Sequence, residues 1–386
     1  MYDVAVIGAG PAGAAAALSA LRTRPGARVL LLDKADFPRD KSCGDGIAPH
    51  ALDELARLGA AQVLADRVPI RRLRLVSPRG TEANATLQRP DVVVPRTVFD
   101  ARLVEAAVAQ GAELRRHGVR RLEVRSDRVV LDGAIEARTV IGADGANGVV
   151  RRQLGVPRQA ATTIAVAVRG YITWETSDPE QLILMDGRDW PAYAWRFDAG
   201  DGTSNVGFGM LLANLRATDH GKDALQSRMV ELLPEAAGAR QLRSHHLPLS
   251  TARPVQPDGR VLLAGDAASL VNPLTGEGIF YALLSGRLAG AAAASADDPG
   301  ARYRAMLERE LGTHLRHTSL LTRITAHERV LDAGVRAADA SPGAMDALVE
   351  VGLGRGLITA PLVRALAREA GKSLRPFSRL RAARGG

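Results

Sequence analysis

The residues of this chain whose types and spacing could do chemistry fall into a few short stretches. Gly8-Ala9-Gly10-Pro11-Ala12-Gly13 places glycine at the first, third and sixth positions, and Asp33 follows twenty residues after the last of them. Gly8 permits a tight turn, Gly10 lets backbone approach a pyrophosphate, Gly13 lets a helix pack on a strand, and Asp33 is placed to accept ribose hydroxyls. The chemistry implied is dinucleotide binding, against the alternative of a chance glycine-rich turn. A second acid, Asp266, follows Gly265 and precedes Asn272-Pro273 and Gly276-Glu277-Gly278. An acid at a strand end can accept a sugar hydroxyl, and free N–H groups at a helix start can face an electron-rich ring. Between these stretches lie the single cysteine, Cys43, and the rings Tyr193, Trp195 and Phe197 at every second position. A thiol of ordinary pKa, about 8.5, stays largely protonated at neutral pH. Cys43 could therefore donate a proton or line an apolar pocket; the alternative is a small buried residue with no chemical duty.

These side chains need elements to hold them. Tyr2–Ile7 is a short apolar run of β type entering the glycine turn, Ala14–Leu21 an alanine-rich helix, and Arg28–Asp33 a second strand. The glycines and the acid thus stand in register in one β-turn-α-β unit. No second mononucleotide half follows, because the chain enters Phe37–Gly46, a loop without strand pattern. The glycine and aspartate pattern returns at Val140–Gly145 and again at Ala264–Asp266, behind the apolar strand Val261–Leu263. Three separated segments of this kind suggest one long cofactor folded back across the domain. Residues 69–95 and 156–250 hold alternating apolar runs such as Leu73–Val76 and Ile164–Val168, with Pro and Gly between them, the pattern of an antiparallel sheet. Period-2 spacing puts Tyr193, Trp195 and Phe197 on one strand face, a candidate wall for a long apolar substrate or an ordinary core face.

Past residue 300 the pattern is helical: Leu307, Leu311, Leu315, Leu320, Leu321 and Ile324 recur at three- or four-residue spacing, broken at Ser341-Pro342-Gly343. His314, His317 and His327 read as surface helix residues, with no carboxylate at metal-binding spacing, and His245-His246 read the same way. No metal is expected.

Composition narrows the class. A chain of 386 residues, 46% hydrophobic, can bury a core and carry two domains or one with a large insertion. Its net charge of +9 is almost all arginine, dense near the end at Arg375, Arg379, Arg381 and Arg384. That charge is a solvated surface, or it draws the protein to an anionic membrane or acidic partner. Nucleic acid is excluded as a partner because no basic run is interleaved with aromatics. One cysteine rules out an internal disulfide and a cysteine-based zinc site. No apolar run has transmembrane length, and a strand begins at once, leaving no room for a signal peptide. The expected location is cytoplasmic, with peripheral membrane contact as an option; oligomeric state is left open.

Four segments resemble the flavoprotein hydroxylase fold and, more narrowly, the geranylgeranyl reductase family: Gly8–Gly13, Arg39–Gly46, Gly142–Arg151 and Ala264–Ile279. The resemblance covers most of residues 1 to 290. It implies FAD, with Gly8, Gly10, Ala12 and Gly13 on the pyrophosphate, Asp33 on the adenosine ribose and Val119 near the adenine. It further implies Arg96 as a cofactor contact, for which the alternative is a surface salt bridge. Asp266 would bind the ribityl or pyrophosphate region, and Cys43 and Gly44 would lie beside the flavin. Gly278 and Ile279 would present N–H groups to its pyrimidine edge, where the charge of reduced flavin gathers. Asp144 reads as a turn and domain-joint residue, with a neighbour of the cofactor as the alternative. The chain departs from the pattern at Gly148, where the hydroxylases often have Ser, and at Asp198, where the reductases have Pro after the Tyr-x-Trp-x-Phe run.

The expected fold is therefore α/β. A Rossmann-type FAD-binding domain (1–68, 96–155, 251–299) carries an inserted antiparallel-sheet substrate domain (69–95, 156–250) and a helical C-terminal region (300–386). The expected activity is hydride transfer from reduced FAD to a carbon–carbon double bond of an isoprenoid or similar apolar substrate, with Cys43 and Tyr193 as candidate proton donors. With only one glycine fingerprint, NAD(P)H or another reductant must visit transiently. The alternative is an FAD monooxygenase or halogenase on an aromatic or polyketide-like substrate; Trp195 lacks a second nearby Trp that halogenases show, while Lys41 keeps that reading open. A non-catalytic flavin-bound scaffold is the third reading.

Overall fold

The computed structural model describes residues 1–218, 221–295, 297–325 and 327–373, so Arg375, Arg379, Arg381 and Arg384 lie outside the described residues. Two sheets carry the architecture. In the first, Glu113–Arg116, Val29–Asp33, Tyr2–Ile7 and Ile135–Gly142 run parallel in that order. The far edge of Ile135–Gly142 pairs parallel with Val261–Leu263 near its end and antiparallel with Val129–Leu131 near its start. The strands at the centre are buried on both faces, which is why they read as unbroken apolar runs. Leu30, Leu31, Leu32, Val140, Ile141 and Leu262 are all fully buried, each stabilising the fold by roughly 1.5–3 kcal/mol relative to exposure.

Two helices lie against each other on this sheet, Pro11–Thr23 and Ile279–Ser295. Small residues let them touch. A Cβ on Gly286 would stand 2.1 Å from the carbonyl oxygen of Ala12, and one on Gly290 2.1 Å from that of Ala16. Each helix starts beside one of the two glycine-rich turns.

The second sheet has eight strands in the order Arg240–Pro248, Ile164–Thr173, Thr203–Leu211, Ala192–Asp198, Glu180–Met185, Ile70–Val76, Glu82–Val93 and Gly46–Ile47. Its pairs are antiparallel except Glu180–Met185 with Ile70–Val76. That parallel pair joins two insertions entering from different points of the chain, so no hairpin constrains their direction. The loop read as patternless at Phe37–Gly46 ends by adding the two-residue strand Gly46–Ile47 to this sheet.

After Asp298 the chain is helical at Pro299–Leu307, Thr313–Ile324, Glu328–Ala340, Pro342–Leu353 and Ala360–Ser373. Leu307, Leu311 and Leu315 are buried against the first sheet's core, while Leu320 and Ile324 are exposed. Among the described residues no helix is long and apolar enough to cross a membrane.

Candidate active site

The first turn is shaped by contacts that only glycine allows. Gly8 has φ +96°, and a Cβ there would lie 2.4 Å from the Ala143 carbonyl oxygen; a Cβ on Gly13 would lie 1.8 Å from that of Gly8. Gly10 differs. It precedes the helix Pro11–Thr23, no side chain caps that helix, and a Cβ on Gly10 would meet only the guanidinium groups of Arg39 and Arg96, at 3.4 and 3.9 Å. Unpaired helix N–H groups beneath two guanidinium groups form a cradle for an anion.

Asp33, at the end of its strand, accepts N–H bonds from Ala9 at 2.9 Å and Ala35 at 3.0 Å. Arg39 stands 3.6 Å from Asp33 and 3.1 Å from Asp100. Arg96 pairs with both oxygens of Asp100, at 2.6 and 2.8 Å, and is 4% exposed. The surface-salt-bridge alternative for Arg96 is thus overturned: the pair is buried, and the guanidinium charge acts on the Cys43 thiol. The Arg39 side chain, which carried no assignment in the sequence, belongs to the same cluster. Val119 is half-buried at the edge of this core, next to the loop of Gly118 and Lys34.

The loop of Cys43 rests on the aromatic face of the second sheet. Tyr193 and Trp195 have ring centroids 5.8 Å apart, and Trp195 and Phe197 6.3 Å. A Cβ on Gly44 would lie 3.2 Å from the Phe197 ring and 3.5 Å from Trp195 Nε1. All three rings therefore share one face, turned toward the cofactor-side loops. Asn205 stitches the contact, accepting from Trp195 Nε1 at 2.8 Å and donating to the Cys43 carbonyl and to Asp45, each at 2.9 Å. Asp45 is fully buried with φ +63° and also accepts from the Tyr171 hydroxyl. Burial outweighs those hydrogen bonds and pushes its pKa up to about 6. Burial also raises the Cys43 thiol, against the nearby Arg96 charge.

The second glycine-rich turn is held from both sides. Lys41 Nζ is 3.3 Å from Asp266 Oδ2. Burial works against the Asp266 carboxylate, but Lys41 and His245 hold its pKa below the usual range. His245 is pushed down to about 4 by burial and then by Lys41, so it is neutral at physiological pH. Thr275 accepts the Tyr193 hydroxyl at its carbonyl, and Gly276, at φ +71°, leaves that hydroxyl room: a Cβ there would lie 3.1 Å from it. Glu277 caps the following helix, accepting Phe280 N–H at 2.7 Å, and burial pushes its pKa up to about 7. Gly278 is half-buried next to Asp266, and Ile279 opens the helix.

A strap from the C-terminal region closes over this turn. Asn272 donates to the Val351 carbonyl at 3.0 Å, Thr275 to Gly352 at 2.6 Å and Tyr281 to Gly354 at 2.7 Å. His314 touches Tyr281 at 2.8 Å and the Gly356 carbonyl at 2.8 Å. The surface reading of His314 is corrected here: it is 2% exposed and belongs to the buried network beneath the turn. His317 accepts Ile358 N–H at 3.0 Å, and His327 is exposed.

Asp144 accepts Val150 N–H at 3.1 Å, capping the short helix Val149–Gln153. A Cβ on Gly148 would fall 2.0 Å from the Asp144 carboxylate, so a serine there would displace that cap. Among the described residues, no group of three or more His, Cys, Asp or Glu is arranged to hold a metal ion.

The two turns, their uncapped or glycine-lined helix starts, Asp33 and Asp266 fit a two-ended cofactor with a central pyrophosphate. Residues 1–284 match the model of a family described as an FAD binding domain. A menaquinone reductase of Mycolicibacterium smegmatis is 39% identical over 311 residues, 74% of this chain and 75% of that protein. Digeranylgeranylglycerophospholipid reductase 1 of Methanopyrus kandleri is 34% identical over 327 residues, 78% of this chain and 84% of that protein. Among solved structures, a geranylgeranyl bacteriochlorophyll reductase-like protein from Thermoplasma acidophilum superposes with a TM-score of 0.76 at 21% identity, covering 97% of this chain and 98% of that one. A flavin-dependent brominase gives 0.69 at 18% identity, covering 96% and 93%. At such identities these two structures speak for the fold alone. On the family match and the two reductase relatives, the chain belongs to the geranylgeranyl reductase family of FAD-dependent oxidoreductases.

Proposed function

We propose that this flavoprotein reduces carbon–carbon double bonds of an isoprenoid chain held between the Tyr193, Trp195 and Phe197 face and the two cofactor-side loops. The observation that carries this reading is the aromatic face lying directly against Gly44 and Gly276, so that an apolar chain entering there meets the loops assigned to the flavin. The relatives' names, menaquinone reductase and digeranylgeranylglycerophospholipid reductase, both denote isoprenoid-bearing substrates.

In this reading Gly8, Gly10, Ala12 and Gly13 take the pyrophosphate, with Arg39 and Arg96 above it, Asp33 takes the adenosine ribose and Val119 borders the adenine. Asp266 takes the ribityl region, Cys43 and Gly44 lie beside the ring, and Gly278 and Ile279 offer N–H groups to its pyrimidine edge. Bound FAD, once reduced, supplies a hydride equivalent to one alkene carbon. The protein's part is to orient the alkene, exclude water through the aromatic wall and the 351–356 strap, and hold the proton for the second carbon.

NAD(P)H is assigned as a transient donor. A cavity of about 350 Å³ lined by Asp40, Lys41, Ser42, Arg243, Ser244 and His245 adjoins Asp266; its two cations are paired, Lys41 with Asp266 and Arg243 with Asp40 at 2.7 Å, and the donor's phosphates would compete with those carboxylates for them. The site of action is the cytoplasmic face of a membrane, where the exposed Leu320 and Ile324 beside Arg316 and Arg323 suit an anionic lipid surface.

Anaerobic photoreduction followed by a prenylated quinone or a geranylgeranyl lipid tests the reading. Flavin reoxidation with two hydrogens added per double bond supports it. Reoxidation by oxygen alone, with a hydroxylated or halogenated product, would replace it with the monooxygenase alternative; Lys41, the residue that kept a halogenase open, is engaged by Asp266.

A further inference from the structure

Three carboxylates lie on the elements around Cys43 and Tyr193: Asp45 two residues beyond Cys43, Asp91 on the strand Glu82–Val93 that pairs with Gly46–Ile47, and Glu277 two residues beyond Thr275, whose carbonyl takes the Tyr193 hydroxyl. In a chain rich in arginine, none of the three forms an ion pair among the described residues. Asp45 and Asp91 are closed in, at 0% and 2% exposure, each with one oxygen lacking any partner. Glu277 is the half-buried one. It caps Phe280 N–H at 2.7 Å, and its charge is felt by Tyr193 and Asp91 from the second sheet, by Cys43 from the loop and by Tyr281 on its own helix.

The other two acids at this place are poorly disposed to give up a proton. The only hydroxyl proton of Tyr193 is committed to the Thr275 carbonyl, and burial raises its pKa well beyond the ordinary phenol value. The Cys43 thiol is likewise raised by burial. We propose that Glu277 is the proton donor to the alkene. Its O–H bond breaks as a C–H bond forms from the alkene's π electrons on the carbon that does not take the hydride. The hydride pair comes from the two-electron-reduced flavin, and the Glu277 carboxylate regains its proton from water. This rests on the alkene-reductase reading above. Burial supports the role by pushing Glu277 up to about 7, and Asp91 is raised to about 7 by burial and then by the Glu277 charge.

The test compares wild type with Glu277→Gln and Glu277→Asp, each checked for bound flavin by its absorbance. In single turnovers of photoreduced enzyme with a prenylated quinone, the wild-type rate should be flat below pH ~7 and fall about tenfold per pH unit above it. Glu277→Gln should be slower by about 10²–10⁴-fold and lose that pH dependence, whereas Glu277→Asp should keep a pH dependence at reduced rate. Independently of turnover, an infrared carbonyl band of a protonated carboxyl titrating near pH 7 should vanish in Glu277→Gln. A Glu277→Gln enzyme with wild-type rate and pH profile overturns the assignment and leaves the reductase reading standing. A wild type inert toward every isoprenoid alkene overturns both. Should Glu277→Gln lose its flavin, the Glu277→Asp profile decides: an unshifted wild-type rate and profile would reject the role.

Discussion

The Tyr193 hydroxyl donates to the backbone carbonyl of Thr275, so one phenol ties the aromatic strand of the inserted sheet to the cofactor-side turn. The ring makes the wall; the hydroxyl holds the turn. Tyr193→Phe should therefore keep alkene reduction within a few-fold while costing about 1 kcal/mol of stability from the unsatisfied carbonyl. Tyr193→Ala, which removes the ring as well, should raise KM for the isoprenoid at least tenfold. Thermal melts and steady-state kinetics on both variants separate the two roles. Loss of turnover in Tyr193→Phe equal to that in Tyr193→Ala would restore the phenol as an acid.

Gly10 and Gly286 both lie against the helix Pro11–Thr23, at its start and on its flank, and substitution separates what they do. A side chain at Gly10 meets only two arginine tips, whereas one at Gly286 meets the backbone of Ala12 at 2.1 Å. Gly10→Val should leave the melting of the apoprotein within about 1 kcal/mol of wild type and abolish FAD retention. Gly286→Val should push the two helices apart, costing about 1–3 kcal/mol or more, and weaken FAD only as a consequence. Melting of apo and FAD-loaded protein, with flavin content after gel filtration, gives both readouts.

What the sequence made legible was what local spacing determines. Gly8, Gly13 and Asp33 sit in one β-turn-α-β unit, and the contacts of Gly13 with Gly8 and of Asp33 with Ala9 follow from that unit, whereas Ala143, which Gly8 meets, comes from the end of the distant strand Ile135–Gly142. The shared face of Tyr193, Trp195 and Phe197 follows from strand period alone. The bond between Asn205 and Asp45 was not legible, because it joins residues 160 apart in the chain and Asn205 belongs to no motif. Arg96 and Asp100 have the i,i+4 spacing of an exposed helix pair, and only tertiary packing buries them. His314 was misplaced for a related reason. Helical spacing tells which residues share a face, but the 351–356 strap that covers this one comes from later in the chain.

Tyr281 is the hub of that strap, with its hydroxyl against Asn272, His314 and the Gly354 carbonyl. Tyr281→Phe leaves three buried partners short of one bond each. A loss of about 2–3 kcal/mol is expected, together with faster proteolysis in residues 351–356. A melting point and proteolytic pattern like wild type would show that Asn272, Thr275 and His314 hold the strap without the Tyr281 hydroxyl.

Asp45 should leave its mark on stability as a function of pH. Its folded-state pKa is raised from 3.8 to about 6, first by burial, with Tyr171, Asn205, Arg169 and Arg96 opposing. An acid raised on folding binds its proton more tightly in the folded state. Its stabilising contribution is thus complete below pH ~4 and is lost as pH climbs through about 6. At about 1.4 kcal/mol per tenfold change in proton affinity, the span amounts to about 3 kcal/mol. Asp45→Asn keeps an oxygen for Tyr171 and Asn205 but cannot titrate, so wild type minus variant should fall by roughly that amount between pH 4 and 6 and be flat above 7. Asp91 and Glu277 titrate higher and cancel in the difference. Denaturant melts of the two apoproteins across this range measure it, and parallel pH curves would mean that Asp45 is ionised throughout and paired by the Arg169 and Arg96 charges.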